Sequence, residues 1–182
     1  MVYVVWNIED VTNIFKNWIE QKFDVIIAIA GVNKTGVGKS TLAYKLGMTS
    51  GFKSEKDLIY GRDELIQAMQ DRERFIVGDE MINMGYKRDF HNIDQQELIK
   101  ILNMYRDHFN ILVFVVPTFW DLDKDLRKMV KIRFDVVERG FAVVHRRLNR
   151  VYDSDPWDTN VNEKIEREWV KRRLNNSKFK PK

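Results

Sequence analysis

The segment Asn33-Lys-Thr-Gly-Val-Gly-Lys-Ser-Thr41 carries the residue types that hold a phosphate chain. Gly36 and Gly38 keep side chains out of the path of an approaching anion. Successive backbone N–H groups from Gly36 to Ser40 would form a concave nest for phosphate oxygens. A helix starting at Lys39 would add partial positive charge at its amino end. Lys39 is expected to reach the β- and γ-phosphates. The Ser40 hydroxyl is expected to ligate magnesium, and Thr41 to contact the α-phosphate. Further along, Phe75-Ile-Val-Gly-Asp79-Glu80 is an apolar run ending in two carboxylates. Asp79 suits magnesium held through water. Glu80, one residue further into the site, suits orienting and deprotonating an attacking water. The ordinary alternative is a Gly-Lys-Ser in a surface turn and solvated acids at a strand end. A buried strand before the loop, a helix after it and no proline between them argue against that alternative.

These groups need a scaffold, and the hydrophobic spacing supplies one. Phe23–Ala30 and Asn110–Val116 are continuous apolar runs, as expected for strands covered on both faces; Pro117 stops the second. Leu58–Tyr60 and Arg74–Asp79 are two further strands. Val11–Lys22 repeats apolar residues at helical spacing through Val11, Ile14, Phe15, Trp18 and Ile19. Lys39–Gly47, Asp63–Arg72 and Leu122–Lys131 are expected to be helical. So is a segment from Asp94 to about His108, with Glu97 completing a capping box. Glu80–Asn92 is polar and is expected to be a loop. Ile132–Val137 and Phe141–Arg147 flank Glu138-Arg139-Gly140, a three-residue turn with Gly available for positive φ. The alternation predicts an α/β fold of three layers, α/β/α, with a mainly parallel central sheet and an edge hairpin. A basic helix over Val161–Leu174 closes the chain. The expected boundary separates a domain over 1–152, with its first helix in 1–22, from a tail over 153–182. Sites in such folds lie beyond the carboxyl ends of the strands.

The loop matches the P-loop pattern G-x-x-x-x-G-K-[S/T] at Gly38-Lys39-Ser40. Asn33 stands where the first Gly belongs, and Asn tolerates left-handed backbone angles well. On this resemblance Asn33, Lys34, Thr35, Gly36, Val37, Gly38, Lys39, Ser40 and Thr41 line the nucleotide site. Phe75–Glu80 resembles the Walker B element. The Asp79-Glu80 pair resembles that of the additional-strand catalytic-glutamate ATPases. Within that division, the run from Tyr105-Arg106 through Val116-Pro117-Thr118 to Leu122–Arg127 is similar to FtsK–HerA-type, viral packaging and zonula-occludens-toxin-like motors. The likeness spans Asp24 to Arg147 and implies an ATP-hydrolysing motor on nucleic acid, DNA favoured, for packaging, translocation or transfer in a virus or mobile element. It implies ATP and Mg2+ as cofactors and a homo-oligomer, in ring form. Thr118 becomes the polar sensor, where those motors carry Gln. Arg106 becomes an arginine finger from a neighbouring subunit. Arg127 and Arg133 are alternative fingers; the ordinary reading of each of the three is a surface arginine paired with Asp107, Asp125 or Asp135. Lys34 leaves a second lineage open. An extra lysine there resembles ParA/MinD-type ATPases, which dimerise over nucleotide and recruit partners. Thr35-Gly-Val-Gly-Lys-Ser also resembles the loop of septin-like GTPases, but no Asn-Lys-x-Asp guanine motif follows it.

Composition narrows the remaining classes. The chain of 182 residues, 44% hydrophobic and 12% aromatic, is long enough for one domain with a sizeable core. With no cysteine, disulfides, thiolate catalysis and cysteine-held zinc are excluded. Val25–Ala30 and Ile111–Pro117 fall far short of the roughly 20 apolar residues of a membrane span. A cytoplasmic protein, or one in a host's cytoplasm, is expected. The net charge of +4 is uneven: residues 161–182 hold eight Lys/Arg and three Glu, +5, leaving −1 for the rest. Such a tail suits nucleic acid or an acidic partner, or serves as a solvated helix. Arg139 and the Arg146-Arg147-Arg150 region are further candidates to face a polymer. Phe119, Trp120, Trp157 and Trp169 could stack on bases, although at these spacings aromatics more often fill a core.

Overall fold

The computed structural model describes residues 7–31, 36–51, 58–59, 62–78, 93–105, 108, 110–147 and 155–157. In chain order the elements are α1 (Ile8–Glu20), β1 (Val25–Gly31), α2 (Lys39–Ser50), β2 (Leu58–Ile59), α3 (Arg62–Gln70) and β3 (Phe75–Gly78). Then come α4 (Ile93–Met104), β4 (Ile111–Val115), a 3-10 turn (Phe119–Asp121), α5 (Lys124–Met129), β5 (Val130–Glu138) and β6 (Phe141–Arg146). The chain divides into two compact units, Met1–Arg146 and Arg147–Lys182. All these elements lie in the first. In the second, the Asp155 carboxylate accepts from the Trp157 N–H at 3.0 Å. The basic helix expected over 161–174 lies outside the described residues.

Among the described residues the six strands form one sheet in the order β2-β3-β4-β1-β5-β6. The pairs β2–β3, β3–β4, β4–β1 and β1–β5 are parallel, and only β5–β6 is antiparallel. The fold is thus α/β with a mainly parallel sheet and an edge hairpin. The apolar runs explain why. Of the β1 side chains, Val25, Ile27, Ala28, Ile29 and Ala30 are each at most 2% exposed. Every residue of β3 and β4 is buried. Strands buried on both faces need helices on both faces. On one face α1 and α2 bring Val11, Phe15, Ala43 and Leu46 onto Ile27, Ile29, Val113, Phe134 and Val136. The alternate strand residues Ala28, Ile76, Leu112 and Phe114 are buried as well, together with Leu65, Ala68 and Met69 of α3 and Leu98, Ile101 and Leu102 of α4. Each such aliphatic side chain contributes about 1.5–3 kcal/mol on leaving water. No helix among the described residues is long and apolar enough to cross a membrane.

Several boundaries differ from the sequence reading, each for a local reason. The helix expected from Val11 starts three residues earlier. Asn7 caps it, accepting from the Asp10 N–H at 2.7 Å while Asp10 accepts from the Asn7 N–H at 3.1 Å. This reciprocal box uses Asp where the common pattern has Glu or Gln. The helix expected from Asp94 begins at Ile93, so Asp94 is inside its first turn, and it stops at Met104. His108 instead donates from Nδ1 to the Met69 carbonyl at 2.7 Å, tying this end of α4 to α3. The helix expected over Leu122–Lys131 is shorter, because β5 takes over at Val130. In the hairpin Glu138 pairs with Phe141, so the turn is Arg139-Gly140, one residue shorter than expected, and a register shift between Val136 and Glu138 absorbs the difference. Gly140 does adopt a positive φ, +87°.

Candidate functional site

Parallel strands point their carboxyl ends the same way, so the segments after β1, β3, β4 and β5 gather at one edge of the sheet. The registers are in step there. Gly78 pairs with Phe114 and Phe114 with Ala28, while Gly31 pairs with Val136.

The loop after β1 is described from Gly36 onward; Asn33, Lys34 and Thr35 lie outside the described residues. Gly36 and Gly38 have φ of +72° and +97°. L side chains rarely adopt such angles, which is the physical reason for glycine at these two positions. A Cβ added at Gly36 would meet nothing within 4 Å, and one at Gly38 only the Thr41 Cβ at 4.0 Å. The surface above the loop is therefore open. Val37, 7% exposed, plugs into the core between α2 and the sheet and anchors the loop from below. Gly38 is the N-cap of α2 and has no side chain to satisfy the first-turn N–H groups; no acidic residue stands in that turn. An uncapped helix amino end preceded by two left-handed glycines, with Lys39 as the first helical residue and Ser40 and Thr41 exposed, fits an anion of phosphate type. The Ser40 hydroxyl is suited to a hard cation beside it.

β3 ends at Gly78, fully inside the sheet. Asp79 and Glu80 follow it and lie outside the described residues, as does Arg106. The end of β4 continues along β1. The Val116 N–H donates to the Ile29 carbonyl at 2.9 Å, and the Gly31 N–H donates to the Pro117 carbonyl at 3.1 Å. Thr118 comes next, half-buried and extended, at the head of the 3-10 turn; its side chain makes no capping hydrogen bond.

The two alternative finger arginines make contacts within their own subunit. Asp125 pairs with Lys128. Arg127 is buried, donates from Nη1 to the Leu122 and Trp120 carbonyls, and lies 5.2 Å from the Trp120 ring centroid. Arg133 pairs with Asp135 through two hydrogen bonds, Nε to Oδ1 at 2.8 Å and Nη2 to Oδ2, and sits 4.5 Å from the Phe119 ring centroid. Of the aromatics, Phe119 and Trp157 are buried, and Trp120 is 43% exposed. Trp169 lies outside the described residues.

The Asp135 carboxyl has a clear shift. Burial pushes its pKa up, but hydrogen bonds from His145 and Arg133, with the Arg133 charge, outweigh burial and hold the carboxyl below the usual carboxylate range. A depressed folded pKa means stability that is present above the unfolded value, about 3.9, and lost as pH falls through the folded one. Asp135→Asn is therefore expected to cost about 2 kcal/mol at neutral pH. It should also flatten the acid-side loss of stability. Urea midpoints of both proteins between pH 7 and pH 2 measure this. Parallel curves would contradict the assignment.

One residue at this edge was assigned otherwise from sequence. Arg139, in the hairpin turn, directs Nε at the Gly36 carbonyl, 3.5 Å away across 103 residues of chain. The only sequence signal for it was a turn at the carboxyl end of a strand next to β1, and strand order is not written in a single sequence.

No protein-family model and no curated protein matches the chain. Among solved structures, its fold is similar to the N-terminal domain of zonular occludens toxin from Neisseria meningitidis. That likeness has 13% sequence identity and a TM-score of 0.48, and it covers 77% of this chain and 91% of that one.

Proposed function

We propose that this chain is a P-loop ATPase of the additional-strand catalytic-glutamate division, working as a ring-forming motor on nucleic acid, with DNA favoured. The sheet order is the observation that carries the proposal. β4 runs between β1 and β3. An extra strand therefore separates the loop strand from the strand that leads to the acids, which is the feature named in "additional strand". Thr118 follows the strand that lies between β1 and β3. A polar group there is suited to sense a γ-phosphate.

The roles follow from chemistry. N–H groups of Gly36 to Ser40 and the Lys39 ammonium hold the phosphates. Ser40 and Asp79 hold magnesium, which when bound neutralises charge on the β- and γ-oxygens. Glu80 accepts the proton of the attacking water. With Arg127 and Arg133 both engaged within their own subunit, Arg106 is the finger offered to a neighbour.

The test is the ATPase rate with and without single- and double-stranded DNA and RNA, with mass measured in the same buffers. DNA should raise the rate, the rise should vanish at high salt, and the protein should assemble beyond a dimer. A dimer formed only on a non-hydrolysable ATP analogue, with no response to any nucleic acid, would sink the motor and favour the ParA/MinD-like alternative.

A further inference from the structure

We propose that Arg139 is a positioning residue of the phosphate loop, acting within its own subunit; the inference rests on the nucleotide-binding reading above. β5 neighbours β1, with Val136 opposite Gly31. The turn after Glu138 therefore stands beside the loop that follows Gly31. From that turn Arg139 reaches the Gly36 carbonyl.

The consequence lies in the peptide unit. The Gly36 carbonyl and the Val37 N–H belong to one planar trans peptide and point in opposite directions. A guanidinium on the carbonyl side fixes the N–H on the other side, one of the donors of the phosphate nest. This matters because Gly36 has φ +72° and no Cβ. Glycine alone would let that peptide rotate. Two anchors oppose rotation: the buried Val37 side chain at one end and Arg139 on the carbonyl. The guanidinium also carries a permanent positive charge close to an anion site. At 3.5 Å the bond is longer than the usual N–H···O range, so the effect is moderate.

Mg-ATP and Mg-ADP affinities of the full chain and of Arg139→Ala, Arg139→Lys and Lys39→Ala provide the test, with thermal melts alongside. Arg139→Ala should weaken both nucleotides about tenfold, as loss of one charge-assisted hydrogen bond implies. ATP and ADP should lose equally, because the loop is misplaced and no γ-phosphate contact is removed. Turnover at saturating ATP should stay within about threefold. Arg139→Lys should recover part of the affinity, and the melting temperature should not move. Wild-type affinity in Arg139→Ala, with binding lost in Lys39→Ala, would overturn the proposal while leaving the phosphate loop intact. At ATP concentrations too low to saturate Arg139→Ala, a return to wild-type turnover on mixing it with Lys39→Ala would also overturn it, because the arginine would then act across subunits. No binding by the wild type would overturn the nucleotide reading itself, and this inference with it.

Discussion

Glu80→Gln protein is expected to bind Mg-ATP with wild-type affinity and to hydrolyse it at least about a hundredfold more slowly, the usual worth of a positioned general base. The amide matches the carboxylate in shape and can still orient a water, but it cannot take the proton. The strand before it makes the expectation specific. β3 is buried along its whole length and ends at Gly78, in register with Phe114 of β4. Asp79 and Glu80 follow Gly78 directly in the sequence. Phosphate release in a single turnover, with a Mg-ATP titration of the same protein, separates the roles. Equal turnover by the Gln protein would move the base elsewhere. A loss of affinity would make Glu80 a ligand of the metal.

Phe15→Ala is expected to cost about 3–5 kcal/mol of stability, a large share of the roughly 5–15 kcal/mol that holds an ordinary domain. Phe15 is fully buried, stacks on Trp18 with centroids 6.1 Å apart, and sits in the cluster that joins α1 to α2 and the sheet. The same helix α2 has Gly38 as its N-cap, at the end where the candidate site lies. A cavity under α1 thus acts on the site through the element that presents it. The urea midpoint measures the loss, and Phe23→Ala serves as the control. Phe23 is 55% exposed and should change stability by less than about 0.5 kcal/mol. A Phe15→Ala protein within 1 kcal/mol of wild type would contradict the packing described.

The strands and the loop were legible in the sequence because their signals are local and strong. Buried parallel strands are unbroken apolar runs, as in Ile26–Ala30 and Ile111–Val115. Gly36 and Gly38, which leave room for an anion by their size alone, also adopt left-handed angles. Boundaries were less legible where no punctuation marks them. Met129 ends α5 and Val130 opens β5 with no Gly or Pro between, so the helix was read too long. The α1 start was missed because its cap uses Asp10 at the third position. Arginine roles divided along the same line. The Arg133–Asp135 pair was within reach of sequence, two residues apart on one strand face. The Arg127 bonds to backbone carbonyls and the Arg139 approach to Gly36 depend on tertiary placement. Sheet order, which sets β4 between β1 and β3, depends on it too.

Phosphate release from Mg-ATP by the wild-type chain beside Lys39→Ala tests most directly the claim that the loop opening α2 holds a nucleoside triphosphate for hydrolysis. The wild type should bind one ATP per chain and release phosphate, while Lys39→Ala, folded to the same melting temperature, should lose both by at least about a hundredfold. Equal binding and release by the two proteins, or none by the wild type, would contradict it.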